Sequence, residues 1–402
     1  MQKRQLITSA VLVLCAIVFI IAAFSVAEDV RQHEPTAMPT MQPTATMVPT
    51  LAPTAVPTKG PATKVTVLGG GIFISAAKQR LLDVYNLQVE SIPVSTFKMK
   101  EYKDLDKVDA IWPGSASAFE DFTIAQPGKI LDKEVVFRTF AQVFTRRDLF
   151  LDDFLKYGVV YEKDGAYYMR YEILVSAMKQ KKSFSQMLSD QAKANNVQFV
   201  EKQWMLASAN CGYSDPTASS GGLQTLFLTA NYMVPGREKG GAVVKHEDME
   251  AILPFLVENW KSQPLQDKQS PDFFNTYVNY SGSIILGCSS ESLYLGWYNK
   301  LPDNRKATDG NLIVPMYPEW TVSTDHALGG LTKIGVELVK IFRTDTVLQQ
   351  LGWDLYGMRT AVGGIAAKPG NTNLKTIAQN PLSVGDPNRL VFEDVTNALN
   401  KK

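Results

Sequence analysis

Histidine and cysteine are scarce in this chain of 402 residues, with three of each. The histidines, His33, His246 and His326, are scattered and no His-Glu-x-x-His string occurs, so a zinc hydrolase has no visible ligand set. No Gly-x-Ser-x-Gly string offers a nucleophile elbow. A Gly-x-x-x-x-Gly-Lys-Ser/Thr phosphate loop is also missing, and Gly69-Gly70-Gly71 lacks the spacing of a dinucleotide fingerprint. Adjacent acids such as Asp152-Asp153 have the chemistry for acid–base work, but on a polar helix they are ordinarily surface. The expectation is a protein that is not an enzyme, with no cofactor and no metal. A charge excess is lacking as well: 41 Lys and Arg face 40 Asp and Glu, so no large net field draws the chain onto nucleic acid.

One long apolar run is present, at the amino end. Leu6 to Ala27 carries only apolar, small and hydroxyl residues, with Lys3 and Arg4 before it and Glu28 and Asp29 after it. That length spans a bilayer and exceeds the usual apolar region of a secretory signal, which favours an uncleaved signal anchor over 6–27. Ser25-Val26-Ala27 resembles a small-x-small cleavage site, so secretion after removal is the alternative. A lipid anchor at Cys15 is weaker still, because Leu-Val-Leu before it lacks the expected small residue. The basic flank keeps residues 1–5 cytoplasmic and sends everything after Ala27 outside, giving a single-pass protein of the cell membrane with an extracellular module. Between Glu34 and Lys64, Pro-Thr recurs at Pro35, Pro39, Pro43, Pro49, Pro53 and Pro57, with almost no charge and no aromatic residue. Such a segment buries no core, and its fixed φ angles make it a semi-rigid spacer, so 28–64 reads as an extracellular stalk.

From residue 65 the pattern becomes globular. Val65-Thr66-Val67-Leu68 reads as a strand that breaks at Gly69-Gly70-Gly71 into a helix to about Tyr85. Leu87 to Val94 reads as a second strand, and Val108 to Trp112 as a third that ends at Pro113-Gly114-Ser115. Gln203 to Ala209 reads as a further strand, ending in Asn210-Cys211-Gly212-Tyr213. Alternating strands and helices imply a mixed sheet with helices on its faces and ligands at the carboxyl ends of the strands. After Tyr213 comes Ser214-Asp215-Pro216-Thr217-Ala218-Ser219-Ser220-Gly221-Gly222, then the apolar helical run Leu223 to Tyr232. Hydroxyls and glycines at a helix start leave backbone N–H groups that cradle an anion or polar oxygen. A plain helix cap by Ser219 or Ser220 is the equal alternative. Cys211 and Cys288 are the two cysteines of this part. An exported compartment permits a disulfide between them, and two separate buried thiols are the other reading.

Asp215-Pro216-Thr217 followed by Ser219-Ser220-Gly221 resembles the Asp-Pro-Thr-x-Ser-x-Ser-Gly signature of type II periplasmic binding proteins of bacterial ABC importers, with one residue fewer between its elements. Tyr317-Pro318-Glu319 with Asp325-His326 looks like a return to the first lobe, and Leu351-Gly352-Trp353 through Gly357-Met358-Arg359 resembles the Gly-Phe-Arg close near the family's C-terminus, with Met for Phe. The resemblance implies an α/β fold of two lobes, each a mixed sheet flanked by helices, joined by two crossover segments near 138–145 and 314–322. Lobe one would take about 65–140 and 318–402, and lobe two about 141–317. A hinge motion would close the lobes on the ligand.

The resemblance also implies a cleft lined by Gly70, Gly71 and Ser75, by Ser115 and Ser117, by Asp215, Ser219, Ser220 and Gly221, and by Tyr280 with Ser281. Backbone and hydroxyl donors suit an oxyanion, a carboxylate or another polar solute without a permanent cation. Trp112, Tyr213, Tyr280, Tyr294, Trp297 and Trp320 lie near expected loops, but large aromatics usually serve the core. His326 is expected to be hydrogen-bonded and structural. The implied function is capture of a small solute for an ABC permease. The alternative is a tethered ligand sensor or adhesion module with the same fold and no transport role.

Overall fold

The computed structural model describes residues 60–236, 239–263, 267–280, 282–362, 378 and 381–401. The anchor expected over 6–27, the stalk up to residue 59, and Ser281 lie outside the described residues. Among the described residues no helix is long and apolar enough to cross a membrane.

The strands are β1 (Thr63–Gly69), β2 (Leu87–Ile92), β3 (Ala110–Trp112), β4 (Asp132–Arg146), β5 (Val160–Lys163), β6 (Ala166–Met169), β7 (Gly287–Ser290), β8 (Ile313–Pro318), β9 (Thr321–Gly330), β10 (Arg359–Thr360) and β11 (Ser383–Gly385). Helices of nine residues or more are α1 (Gly71–Tyr85), α2 (Ala116–Ala125), α3 (Tyr171–Lys179), α4 (Phe184–Ala194), α5 (Ser220–Met233), α6 (Met249–Lys261), α7 (Ser270–Tyr280), α8 (Glu291–Lys300), α9 (Lys333–Thr344), α10 (Thr346–Tyr356) and α11 (Arg389–Asn400). Two differences from the sequence reading stand out. Strand β1 begins at Thr63, so the module takes in two residues assigned to the stalk. Gln203–Leu206 is a short 3-10 turn rather than a strand, and only single bridges, Ser183 to Ser208 and Gly212 to Gly287, tie this stretch to its neighbours. The apolar composition there serves packing of Met205 and Trp204 against Phe150, Phe154 and Phe184, which periodicity alone does not separate from a strand.

The strands follow the order β2-β1-β3-β9-β4-β8-β6-β5, with β7 and β10 also on β4 and β11 on β9. Strand β4 decides the architecture. Its first part, Asp132 to Phe140, pairs antiparallel with β9 in a sheet that also holds parallel β1, β2 and β3. Its second part, Ala141 to Arg146, pairs with β7 and β8 in another sheet. Strands β8 and β9 make the same passage in the return direction, separated by Glu319 and Trp320. The continuous strand β4 and the consecutive strands β8 and β9 therefore run side by side between two sheets, and each sheet has its own apolar core: Val65, Val67, Phe73 and Leu338 in the first, Leu174, Leu226, Phe227 and Met316 in the second. Where the strands pass, Thr321 Oγ1 donates to the Ala141 carbonyl (2.6 Å) and Gln224 Nε2 to the Val322 carbonyl (3.2 Å).

Candidate functional site

The carboxyl ends of β1 and β3 lie together, Gly69 in register with Trp112. Gly70 opens α1 with φ +64°, and a Cβ there would stand 3.0 Å from the Trp112 ring. Both the left-handed backbone and the close approach require glycine. Gly70 at the N-cap of α1 has no side chain to cap the first turn, which begins at Gly71. Ser75, one turn further on, is exposed.

Helix α2 starts beside α1, and its first turn is satisfied from within. Ser115 Oγ accepts from Ala118 N (3.2 Å), Ala116 N donates to Asp386 Oδ2 (3.2 Å), and the Ser117 hydroxyl donates to the Pro387 carbonyl (2.6 Å). Both serines are buried. The sequence places them in the cleft as ligand donors; in the structure Ser115 caps its own helix, while Ser117 and the Ala116 amide seat the C-terminal segment at Asp386 and Pro387. The Asp386 carboxyl, which also accepts from Thr324 Oγ1 (2.9 Å), stands where an external anion would sit on this helix. Burial pushes it up to about 7.

The second lobe supplies a cluster of serines. The Ser214 hydroxyl donates to Ser219 Oγ (3.0 Å) and bonds Ser270 Oγ (3.0 Å), and Ser219 and Ser270 bond each other. Ser219 is the N-cap residue of α5 but makes no capping bond, so the alternative of a plain cap does not describe it. The first N–H groups of α5 have no side-chain acceptor, and the helix is buried from Gly221 to Met233. Gly222 is demanded by contact: a Cβ there would stand 2.2 Å from the Ser214 carbonyl oxygen. Asp215, placed in the cleft by the sequence reading, has one carboxylate oxygen engaged within its own loop. Its Oδ1 accepts from the Thr217 amide (2.8 Å) and hydroxyl (2.7 Å), and its carbonyl accepts from Ser219 N (2.8 Å), an Asx-turn that shapes the loop.

The two lobes touch at this place. A Cβ on Gly114, at the end of β3, would lie 3.0 Å from Ser220 Oγ and 3.1 Å from Thr96 Oγ1. A Cβ on Gly221 would lie 2.4 Å from Ser270 Oγ and 3.0 Å from Ser289 Oγ. The end of β3 at Gly114 thus meets the start of α5 at Ser220, with Gly70 packed on Trp112 of the same strand and Ser219 and Gly221 beside Ser270. Tyr280 closes α7, and its side chain lies outside the described residues; Ser281 lies outside them altogether.

Below the rim, Cys211 and Cys288 form a disulfide, flanked by Gly212 N to Leu286 O (2.9 Å) and Cys288 N to Gly212 O (2.7 Å). It joins the segment that carries Ser214 to the strand that carries Ser289. On the far side, Arg359 of β10 is held by Glu291 at the start of α8 through two bonds of 2.8 and 2.9 Å, and Tyr317 OH donates to the same carboxylate (2.9 Å). Glu291 is fully buried. Burial disfavours the Arg359 charge, but Glu291 outweighs it and the guanidinium stays firmly protonated. No spare charge is left on this arginine for a ligand.

Sequence reasoning missed Gln142, Ser214, Ser270, Ser289 and Glu291. One signal was available for Gln142, an uncharged polar residue within the apolar stretch Phe140 to Phe144. The aromatics fall where packing puts them: Trp112, Tyr213 and Tyr294 are core residues, and Trp297 and Trp320 pack at its edge. His326 bonds Thr139 Oγ1 (3.1 Å). Among the described residues no group of three or more His, Cys, Asp or Glu is placed to hold a metal ion.

No known family profile matches the chain, and no curated protein matches it. Solved structures do. Iron-bound HitA from Pseudomonas aeruginosa superposes with TM-score 0.51 at 10% identity, covering 84% of this chain and 97% of that one. FutA2 from Synechocystis PCC6803 (TM-score 0.49, 13% identity, 85% and 98% covered) and the sulfate-binding protein SubI from Mycobacterium tuberculosis H37Rv (0.48, 12%, 83% and 96%) are also similar. At such identities the likeness speaks for fold, and the HitA match carries it: the chain has the two-lobed α/β fold of type II periplasmic binding proteins.

Proposed function

We propose that this chain is an extracellular solute-binding protein, tethered by its N-terminal segment, that closes two lobes on a small polar or anionic solute and delivers it to an ABC importer. The observation that carries this reading is the seam where the end of β3 at Gly114 meets the uncapped start of α5 beside a cluster of buried hydroxyls. Exposed backbone N–H groups at helix starts bind oxygen-rich groups without a fixed cation. The donor set of hydroxyls and amides favours a metal-free solute, although HitA is iron-bound. The apolar run over 6–27 supports a membrane tether, and the fold supports, by analogy alone, an importer as partner.

A thermal-shift screen of the full-length chain against small anions, hydroxy acids, amino acids and sugars tests it. A ligand that binds only the folded state raises the melting temperature, by an amount equivalent to about 2.7 kcal/mol at a hundredfold excess over its dissociation constant. Gly221→Ala, which forces a methyl against Ser270, should remove the shift. A panel with no stabilising member would refute the reading.

A further inference from the structure

Two side chains at the second-lobe rim are short of partners. Gln142 and Ser289 stand opposite one another on β4 and β7, so their side chains share a face of the sheet. Both are fully buried. Among the described residues neither the amide nitrogen nor the amide oxygen of Gln142, nor the hydroxyl of Ser289, has a hydrogen-bond partner. Buried polar groups are ordinarily satisfied, and one that is not marks a place where something else belongs.

The location says what. Ser289 Oγ lies 3.0 Å from the position a Cβ on Gly221 would take, beside Ser270 and the uncapped start of α5. The Gln142 pair is therefore the floor of the same serine-lined rim. The backbone N–H groups of α5 and Gln142 Nε2 donate, and the serine hydroxyls both donate and accept, but Gln142 Oε1 can only accept and has no donor within reach. A solute that fills this place and bonds Gln142 Oε1 must itself donate a hydrogen bond. Arg359, on the far side, is already held by Glu291, so its charge does not select the ligand.

Resting on the solute-binding reading above, we infer that Gln142 and Ser289 select a solute that carries an O–H donor beside its acceptor oxygens, the chemistry shared by hydrogen phosphate and small hydroxycarboxylates, against solutes that only accept. A site built to bond a hydroxyl leaves its own polar atoms unpaired when the analogue lacks one, and that penalty gives the discrimination.

Isothermal titration of the full-length chain at pH 7 with four probes, phosphate, sulfate, glycerate and propionate, tests this. The expected result is that phosphate binds at least about tenfold more tightly than sulfate, or glycerate than propionate; which pair responds tells phosphate from hydroxycarboxylate. Gln142→Leu should weaken the preferred probe about tenfold more than its acceptor-only counterpart, so that the preference within the pair is lost. Ser289→Ala, which adds no bulk, makes the same measurement if the leucine variant folds poorly. Equal affinity within both pairs overturns the inference, as does a preference that survives in both variants. Heat from none of the four probes while a sugar or amino acid stabilises the protein overturns the solute class alone. Silence across the entire thermal-shift panel instead sinks the solute-binding reading on which the inference rests.

Discussion

Reducing the Cys211–Cys288 bond should act on stability and on binding through the same few residues. The two cysteines are separated by 77 positions. In the chain-entropy description, closing a loop of that length removes about 4.5 kcal/mol of freedom from the unfolded state at 25 °C. A globular part of roughly 340 residues unfolds with an entropy of about 0.7 kcal/mol/K, so the melting temperature should fall by about 6 °C on reduction or in a Cys211→Ser, Cys288→Ser double variant. The backbone bonds between Gly212, Leu286 and Cys288 remain, so the second lobe should still fold. What loosens is the spacing between Ser214 and Ser289, and solute affinity should drop more than the melting temperature alone implies. Calorimetric melting with and without reductant, followed by titration with the best ligand, measures both. A reduced protein that melts within about 1 °C of the oxidised one, and binds as well, would refute this account. Two free thiols in the mass of the oxidised protein would remove its premise.

Glu291→Gln strands the Arg359 charge in a buried site, and should cost about 3–5 kcal/mol in urea unfolding, whereas a loss below about 1 kcal/mol would show that the pair is not closed in solution. Two part-buried groups near the crossover strands should oppose each other in pH. Asp386, raised to about 7 from the usual 3.8, contributes stability that is whole below about pH 4 and is lost as pH rises toward 7. His326, lowered by burial to about 4 from 6.5, contributes stability that is whole above about pH 6.5 and is lost as pH falls toward 4. Wild-type stability should therefore vary little between pH 4 and 6.5. Asp386→Asn can present its oxygen to Ala116 N and its amide to Thr324, and should expose the histidine slope. The full shift corresponds to about 4 kcal/mol, and water reaching the carboxyl reduces this to about 2 kcal/mol gained by the variant at pH 8. A variant whose melting temperature remains flat from pH 4 to 6.5 would contradict the assignment.

The elements that depend on near neighbours were legible from residue order. Val65 to Leu68 alternates and then meets glycines, and the chain does turn there into α1, because only glycine holds φ +64° against the Trp112 ring. The hydroxyl-rich run before Leu223 does open a helix, since its loop is set by a local Asx-turn at Asp215. The disulfide was left open by residue order, because pairing needs two Cα atoms brought close from 77 positions apart. Gln203 to Ala209 was read as a strand because its apolar residues carry no period that tells a short turn from a strand.

Tertiary structure alone decided which donors remain for a ligand. Ser115 and Ser117 have the composition of a cleft, yet Asp386 and Pro387, far along the chain, occupy their helix start. Arg359 has the charge an anion would seek, yet Glu291 meets it across the sheet. Gln142 and Ser289 become neighbours only when β4 pairs with β7. Local sequence sets backbone conformation, which depends on sterics over a few residues. Whether a polar atom is satisfied depends on groups hundreds of positions away, and that is settled only when the sheets assemble.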